Sequence, residues 1–594
     1  MRSIPNFHFY SIRYQDESNS KVEEASSSFE QALVDALKLF KLCPKLDLSN
    51  SGQMNEFHSI ALKADELWTS KSDDVHIETV VSNFFSKMHQ SIVTCGEDKR
   101  KFCSYFKSKL NNIESLVSLG YQLYAIRRSI TYTRAFQNDY DRIVSSSAFR
   151  RLQDKAQVFS LESFDFVRTR LTHSNEVSAI SEQLVSKMLF DAIVTRQNIS
   201  LPLVLSDICK CVCLLHDIGN PPFGHYGESI IRRFFGEMFS ESSTFSVSDS
   251  VANAIGSKKT RVADIITREQ LIGDFVYFDG NAQAFRIVNH LQPYRNKSSL
   301  NLTASVLRGL LKYPCDCCSG IEKGKFGYFH SERQIIEFLK KHAGYEEGRL
   351  YLPALIMEVA DDIAYNISDF EDALKKGLIT YEDFANADTS KEEAYVQKFF
   401  SDFHAFYKEN LENFKNPFEV TLSSLIQRLK INLISESAFI LSSAKRIAWL
   451  LDRTTENRHV LDQVPSYLVC RFIKKKFIKP NVYYSRTISE TELEADTILS
   501  YLLKEFTNAV LLVDFDPTQE NINKIGGFSN LEEIKYRKII NLISPHILKA
   551  YSDIPKDSLS AEENLYYRLR IVVDYISGMT DSFAKRIYSK LVGK

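Results

Sequence analysis

The chain has 594 residues, long enough for more than one domain, and its 44% hydrophobic and 25% charged residues are those of a globular protein. Seventy-four Lys and Arg against 75 Asp and Glu leave a net charge of −1, which excludes a global electrostatic attraction to nucleic acid or membrane; any basic surface must be local. No apolar run approaches the roughly 20 residues of a membrane span and Met1 to His8 hold no apolar signal core, so the expected location is the cytoplasm.

Residues 1–115 open with a polar, serine-rich stretch from Asp16 to Ser28. Four helix-like apolar periods follow: Phe29 to Leu42, Phe57 to Trp68, Ile77 to Met88 and Phe102 to Leu119. This predicts a helical accessory segment. More helices are expected from Gln122 to Phe159, His173 to Leu189 and Leu201 to His216, then a surface insertion from Phe235 to Asp249. Ile265 to Leu291 reads as one helix carrying Asn281. Leu307 to Lys312 ends at Tyr313-Pro314, because the residue before proline leaves the helical region. Lys323 to Phe329 alternates aromatics with Gly and Lys and predicts a loop or short hairpin. Helices return from Pro353 to Lys376, Phe399 to Leu451 and Leu493 to Val513, and Asp574 is expected to open the last one. The fold class is therefore all-α with at most one small β-hairpin. It is organised as an accessory segment (1–115), a core (116–400) and a C-terminal helical region (401–594).

Ten cysteines in so long a chain are not a disulfide framework. Cys209, Cys211 and Cys213 lie on an apolar helix and read as small core residues. Cys315-Asp-Cys-Cys318 lacks a second Cys or Cys/His pair and reads as loop thiols, not a zinc site.

The stretch from Cys211 to Glu228, CVCLLHDIGNPPFGHYGE, concentrates chemistry. An apolar helix ends in His216-Asp217, where a buried imidazole and carboxylate need a partner or a metal. After a Gly and Pro-Pro turn come His225 and Glu228, three apart and so on one helix face. Upstream, RTRLTHS places His173 at the start of a helix. Downstream, MEVADDIAY and its continuation set Asp361, Tyr365 and Asp369 on one stripe.

His, His-Asp and Asp in that order resemble the ligand set of the HD phosphohydrolases. The segments DRIVSSSAFRRLQDKAQVF (141–159), RTRLTHS, HDIGNPPFGH, FDGNAQ (278–283), MEVADDIAY and DYISGMTD (574–581) are similar to the bacterial deoxyguanosine triphosphate triphosphohydrolases. The resemblance implies that His173, His216, Asp217 and Asp361 hold one divalent ion. Mixed imidazole and carboxylate ligands suit Mn²⁺, Fe²⁺, Co²⁺ or Ni²⁺ without specifying one; Mn²⁺ is the ion expected, with Mg²⁺, Co²⁺, Fe²⁺ or Ni²⁺ as alternatives. It implies hydrolysis of dGTP, or of deoxynucleoside triphosphates more broadly, to deoxynucleoside and triphosphate. His225, oriented by Glu228, would protonate the leaving 5′-oxygen. Asn281, Lys312, Tyr313 and Lys325 would line the triphosphate, Tyr365 would exclude a 2′-hydroxyl, and Gln157 and Asp369 would take the 3′-hydroxyl. The base pocket falls near Asn138, Asp141 and Val158 and does not fix the base. A homo-oligomer, hexameric in the bacterial enzymes, and single-stranded DNA as effector are the partners implied.

Two other readings stand beside this one. An HD phosphomonoesterase would act on 5′-nucleotides, although a monophosphate has no use for the extended track of Lys312, Tyr313 and Lys325. The basic, aromatic stretch from Arg471 to Lys479 suits either a single-strand nucleic-acid groove or a solvated helix face.

Overall fold

The computed structural model describes residues 134–593 except 160–165, 195–199, 294–298, 321–323, 455–457, 516–530 and 556–558. The segment 1–115 and its four expected helices lie outside the described residues. Among the described residues the regular structure is helical, and β pairing is limited to isolated bridges such as Ala156 to Thr169 and Arg349 to Asp452. The all-α expectation holds. Of the Lys323 to Phe329 stretch, residues 324–329 are described and make no hairpin: Phe326 and Phe329 are fully buried, so the aromatics fill the core from a loop.

Helix α1 (134–144) precedes the central layer. That layer is α2 (Arg170–Val194), α3 (Ser200–Leu215) and, much later in the chain, α8 (Leu352–Lys375). Between them come α4 (Gly224–Met238), α5 (Glu269–Val276), α6 (Gly280–Arg286) and α7 (Ala304–Leu310). The helices α2, α3 and α8 pack on one another, and α7 covers α3. From Ile208 to Leu215, α3 is apolar on nearly every side, with Cys209, Cys211 and Cys213 fully buried among Ile208, Val212 and Leu215; an all-round apolar helix belongs in a core. Gly309 permits the close approach of α7, since a Cβ there would stand 2.6 Å from Val212. Helix α9 (Pro417–Leu441) packs on α2 and on α8, so helices on both sides of residue 400 share one neighbour.

The C-terminal region continues with α10 (Tyr467–Ile473) and a π-helical run, Lys474–Tyr483. It ends in α11 (Arg486–Leu512), α12 (Ala561–Ser577) and α13 (Asp581–Val592). Helix α11 packs on α4 and on α12. Polar bonds fasten α12 and α13 to the central part. Arg286 of α6 donates to Asp574 at 2.7 and 2.8 Å, and the Tyr566 hydroxyl donates to Asp274 at 2.6 Å. Asp581 accepts from the Phe223 amide at 2.9 Å. Phe223 has φ 62°, a left-handed conformation that costs a bulky residue about 1–3 kcal/mol, so the last helix holds the Pro-Pro-Phe-Gly turn in a strained shape.

Several expected helices are divided. Ile265 to Leu291 breaks at Tyr277 to Asp279, where Asp279 accepts from the Asn281 amide and caps a new helix; Ile287–Leu291 is π-helical. Phe399 to Leu451 becomes Ala394–Asn410, α9 and Ala444–Leu451, interrupted at the Asn416 cap and Pro417. Phe235 and Met238 still belong to α4 and are fully buried, so the non-helical stretch begins only at Phe239. Asp574 lies near the end of α12; the last helix starts at Asp581, capped by Thr580.

Candidate active site

His173 stands in the first turn of α2, His216 and Asp217 just past the end of α3, and Asp361 in the middle of α8. The packing of these three helices brings the four side chains together. His173 Nε2 is 3.1 Å and His216 Nε2 3.5 Å from Asp361 Oδ1. His216 Nε2 is also 3.5 Å from Asp217 Oδ2. One ligand atom from each of His173, His216 and Asp217 lies within 4.8 Å of the others. His216 Nδ1 donates to the Cys213 carbonyl at 2.7 Å, so in the neutral ring the lone pair lies on Nε2, and that buried nitrogen has no hydrogen-bond partner. A buried imidazole nitrogen facing two carboxylates fits a divalent metal ion.

The surrounding charges keep both carboxylates ionised. Arg170 Nη1 donates to Asp217 Oδ2 at 2.7 Å, and Lys312 Nζ stands 3.2 Å from Asp361 Oδ2. Burial opposes ionisation of Asp361, but Lys312 and His216 outweigh it and hold the carboxyl well below its usual value. Burial likewise opposes charge on His216, yet Asp217 and Asp361 raise it to about 9 in the absence of metal.

His225 and Glu228 lie in the first turn of α4, with Nδ1 3.3 Å from Oε2. The His225 side chain is 81% exposed and free to meet a ligand; that of Glu228 is 6% exposed. Glu228 Oε1 accepts from the Gly280 amide at 2.9 Å. Burial would raise the Glu228 carboxyl, but the His225 contact and Arg232 keep it low. Gly280 is where this pair meets the candidate metal ligands. A Cβ there would lie 2.4 Å from Asn220 Oδ1 and 2.9 Å from Glu228 Oε1, and Asn220 in turn donates to Asp217. Gly219 makes the same junction possible from the other side, since its Cβ would fall 2.0 Å from the Gly280 carbonyl.

The residues expected along a triphosphate fall into two linked groups. Asn281 Nδ2 donates to Asp279 Oδ1 at 2.8 Å, and Lys325 Nζ is 3.8 Å from Asp279 Oδ2. Burial and the nearby Glu228 push Asp279 up to about 6 against the pull of Lys325. Lys325 also stands 5.6 Å from the Tyr313 ring centre. Lys312, Tyr313 and Lys325 border a cavity of about 220 Å³ together with Arg453. On α8, one turn past Asp361, the Tyr365 hydroxyl bonds Tyr483, which also bonds Asp369. Gln157 and Val158 follow Lys155, whose carbonyl accepts from Arg170, so this segment is held at the α2 end that carries His173. Gln157 Oε1 is buried without a partner. Asn138 and Asp141 are exposed on α1 and join none of these groups.

Comparison with known proteins places the chain in a family. The HD domain model matches residues 170–274, and the phosphohydrolase-associated domain matches residues 530–590. A deoxyguanosinetriphosphate triphosphohydrolase-like protein of Listeria monocytogenes is 32% identical over 471 residues, covering 77% of this chain and 94% of the relative. The chain belongs to the deoxyguanosinetriphosphate triphosphohydrolase-like family of HD phosphohydrolases. A deoxyguanosinetriphosphate triphosphohydrolase of Salmonella arizonae is 28% identical over 497 residues, with the same shares covered.

As a member of this HD family the chain is a hydrolase. Its site contains residues that the sequence reading did not single out. Arg170 lay inside RTRLTHS, and Asp279 inside FDGNAQ, without any signal of their own. Lys474 comes from the basic stretch and Tyr483 from just beyond it; the apolar members of the stretch, Phe472, Phe477 and Ile478, are buried while Arg471, Lys475, Lys476 and Lys479 are exposed. Cys315, Cys317 and Cys318 are free thiols on the loop after Pro314, and no metal group among the described residues includes them. No helix among the described residues is long and apolar enough to cross a membrane.

Proposed function

We propose that the protein hydrolyses deoxynucleoside triphosphates, dGTP among them, to the deoxynucleoside and inorganic triphosphate. The observation that carries this reading is the junction at Gly280, where the His173–His216–Asp217–Asp361 group and the His225–Glu228 pair share one backbone position. A divalent ion bound by the four ligands, Mn²⁺ before Mg²⁺, Co²⁺, Fe²⁺ or Ni²⁺, supplies Lewis acidity toward a phosphate oxygen. Water attacks the α-phosphorus, and the bond that breaks joins the α-phosphorus to the 5′-oxygen. His225 gives its proton to the departing 5′-oxygen, and Glu228, fixed by the Gly280 amide, holds the ring in place.

Lys312, Tyr313, Lys325 and Asn281 are the groups for the triphosphate, because cations and neutral donors offset phosphate charge in a partly desolvated cleft. Tyr365 takes the place a 2′-hydroxyl would need, Gln157 and Asp369 take the 3′-hydroxyl, and Val158 borders the base. The name of the Salmonella relative supports guanine as one accepted base. A homo-oligomer, a hexamer by the same resemblance, and single-stranded DNA bound along the exposed Arg471, Lys475, Lys476 and Lys479 complete the proposal. The test is incubation of the purified protein and Mn²⁺ with each of the four deoxynucleoside triphosphates, with products resolved by ion exchange. Deoxynucleoside and intact triphosphate are expected; orthophosphate as the released product would refute the reading.

A further inference from the structure

Asp369 is buried on α8, two turns past Asp361, and its two oxygens differ. Oδ2 accepts from the hydroxyl of Tyr483, whereas Oδ1 is buried and has no partner. A phenol carries one hydrogen. With the Tyr483 hydrogen given to Asp369, the contact between the two tyrosine hydroxyls must be donated by Tyr365. The order is thus Tyr365 to Tyr483 to Asp369, a relay across 114 residues of sequence. Lys474, from the same segment as Tyr483, places its ammonium 4.4 Å from the centre of the Tyr365 ring.

The segment that supplies both residues is built to stay in place. Phe477, Ile478 and Val482 are buried beneath it, and Lys474–Tyr483 is π-helical, a distortion of the helix frequent at functional sites. A buried carboxylate oxygen without a donor is costly unless a ligand supplies one. Burial raises Asp369 to about 6, while the Tyr483 bond and the charge of Lys474 pull it toward the ionised form that best accepts a hydroxyl.

We propose that Tyr483 is a specificity-determining positioning residue, whose hydroxyl fixes Asp369 and Tyr365 so that the free Asp369 oxygen takes the 3′-hydroxyl of a deoxynucleotide. This rests on the proposed deoxynucleotide triphosphohydrolase activity. Tyr483 acts through Asp369 and Tyr365 and need not touch the substrate.

The experiment measures kcat/KM for dGTP, 2′,3′-dideoxy-GTP and GTP in the wild type, Tyr483→Phe, Asp369→Asn and the double variant, with folding checked by thermal melting. Wild-type protein is expected to favour dGTP over the dideoxy analogue. Tyr483→Phe should lower that preference about tenfold, the order expected when a hydrogen bond to a charged group is lost. It should also raise GTP turnover relative to dGTP by loosening Tyr365. In the Asp369→Asn background the same change should no longer affect the dideoxy preference. Equal losses on dGTP and its dideoxy analogue would mean a merely structural role and overturn the inference, as would additive effects in the double variant or an unchanged preference. Absence of triphosphate release by the wild type from any deoxynucleotide would instead overturn the activity itself, and the inference with it.

Discussion

Replacing His225 by alanine tests the proposed proton transfer most directly. The ring is 81% exposed and its firm tether is the 3.3 Å contact with Glu228, so its loss should disturb little beyond the site. A positioned acid contributes typically ~10²–10⁴-fold, and His225→Ala is expected to lose turnover by at least about two orders of magnitude while keeping metal and nucleotide binding. Glu228 contributes through a charged hydrogen bond worth roughly 1.5–3 kcal/mol in general. Its partner faces solvent, which places the effect at the lower end, about tenfold. Glu228→Gln is the cleaner change, since an amide oxygen can still accept from the Gly280 amide while the charge is removed. Single-turnover cleavage of dGTP in the four-member cycle, with metal content determined for each protein, is the assay. Because the two side chains act as one unit, Glu228→Gln should cost little in the His225→Ala background. Additive losses would show two independent roles, and near-normal cleavage by His225→Ala would show that solvent supplies the proton.

Three further outcomes are expected. Asp217→Ala should abolish bound metal, read by elemental analysis, and with it turnover, while the helical circular dichroism stays; full metal occupancy would refute the ligand assignment. Tyr365→Ala should raise GTP turnover relative to dGTP several-fold; an unchanged ratio would place sugar selection elsewhere. Asp274 concerns stability. It is fully buried, and burial raises it to about 7 although Tyr566 and the His330 amide donate to it. A carboxyl raised above its unfolded value favours folding below the unfolded pKa, and that contribution is lost as pH rises through about 7. The wild type should therefore lose melting temperature between pH 5 and 8 more steeply than Asp274→Asn, and parallel curves would refute this.

What a single helical turn encodes was readable from the residues alone. His225 and Glu228 meet because α4 brings positions three apart together, and the apolar run of α3 could only be a core helix ending in His-Asp. The order of motifs, matched to a family, pointed to His173, His216, Asp217 and Asp361 as candidate ligands before any fold was known. Helix boundaries were less legible where a cap competes with apolar periodicity. Asp279 starts a new helix inside what reads as one, and Asn416-Pro417 divides another.

Contacts that join distant segments were decided only by the tertiary structure. Lys312 reaches Asp361 across 49 residues, and Tyr483 reaches Asp369 across 114. Gly280 looks like any turn glycine until packing sets Asn220 and Glu228 against its missing Cβ. Sequence by itself determined the all-helical class and the nearness of His225 to Glu228, which depend on residue type and on spacing within a turn, while the candidate ligands followed from the order of motifs shared with a family. The walls around them depend on which helices pack together, and side chains far apart in the chain carry no local periodicity that could reveal the pairing.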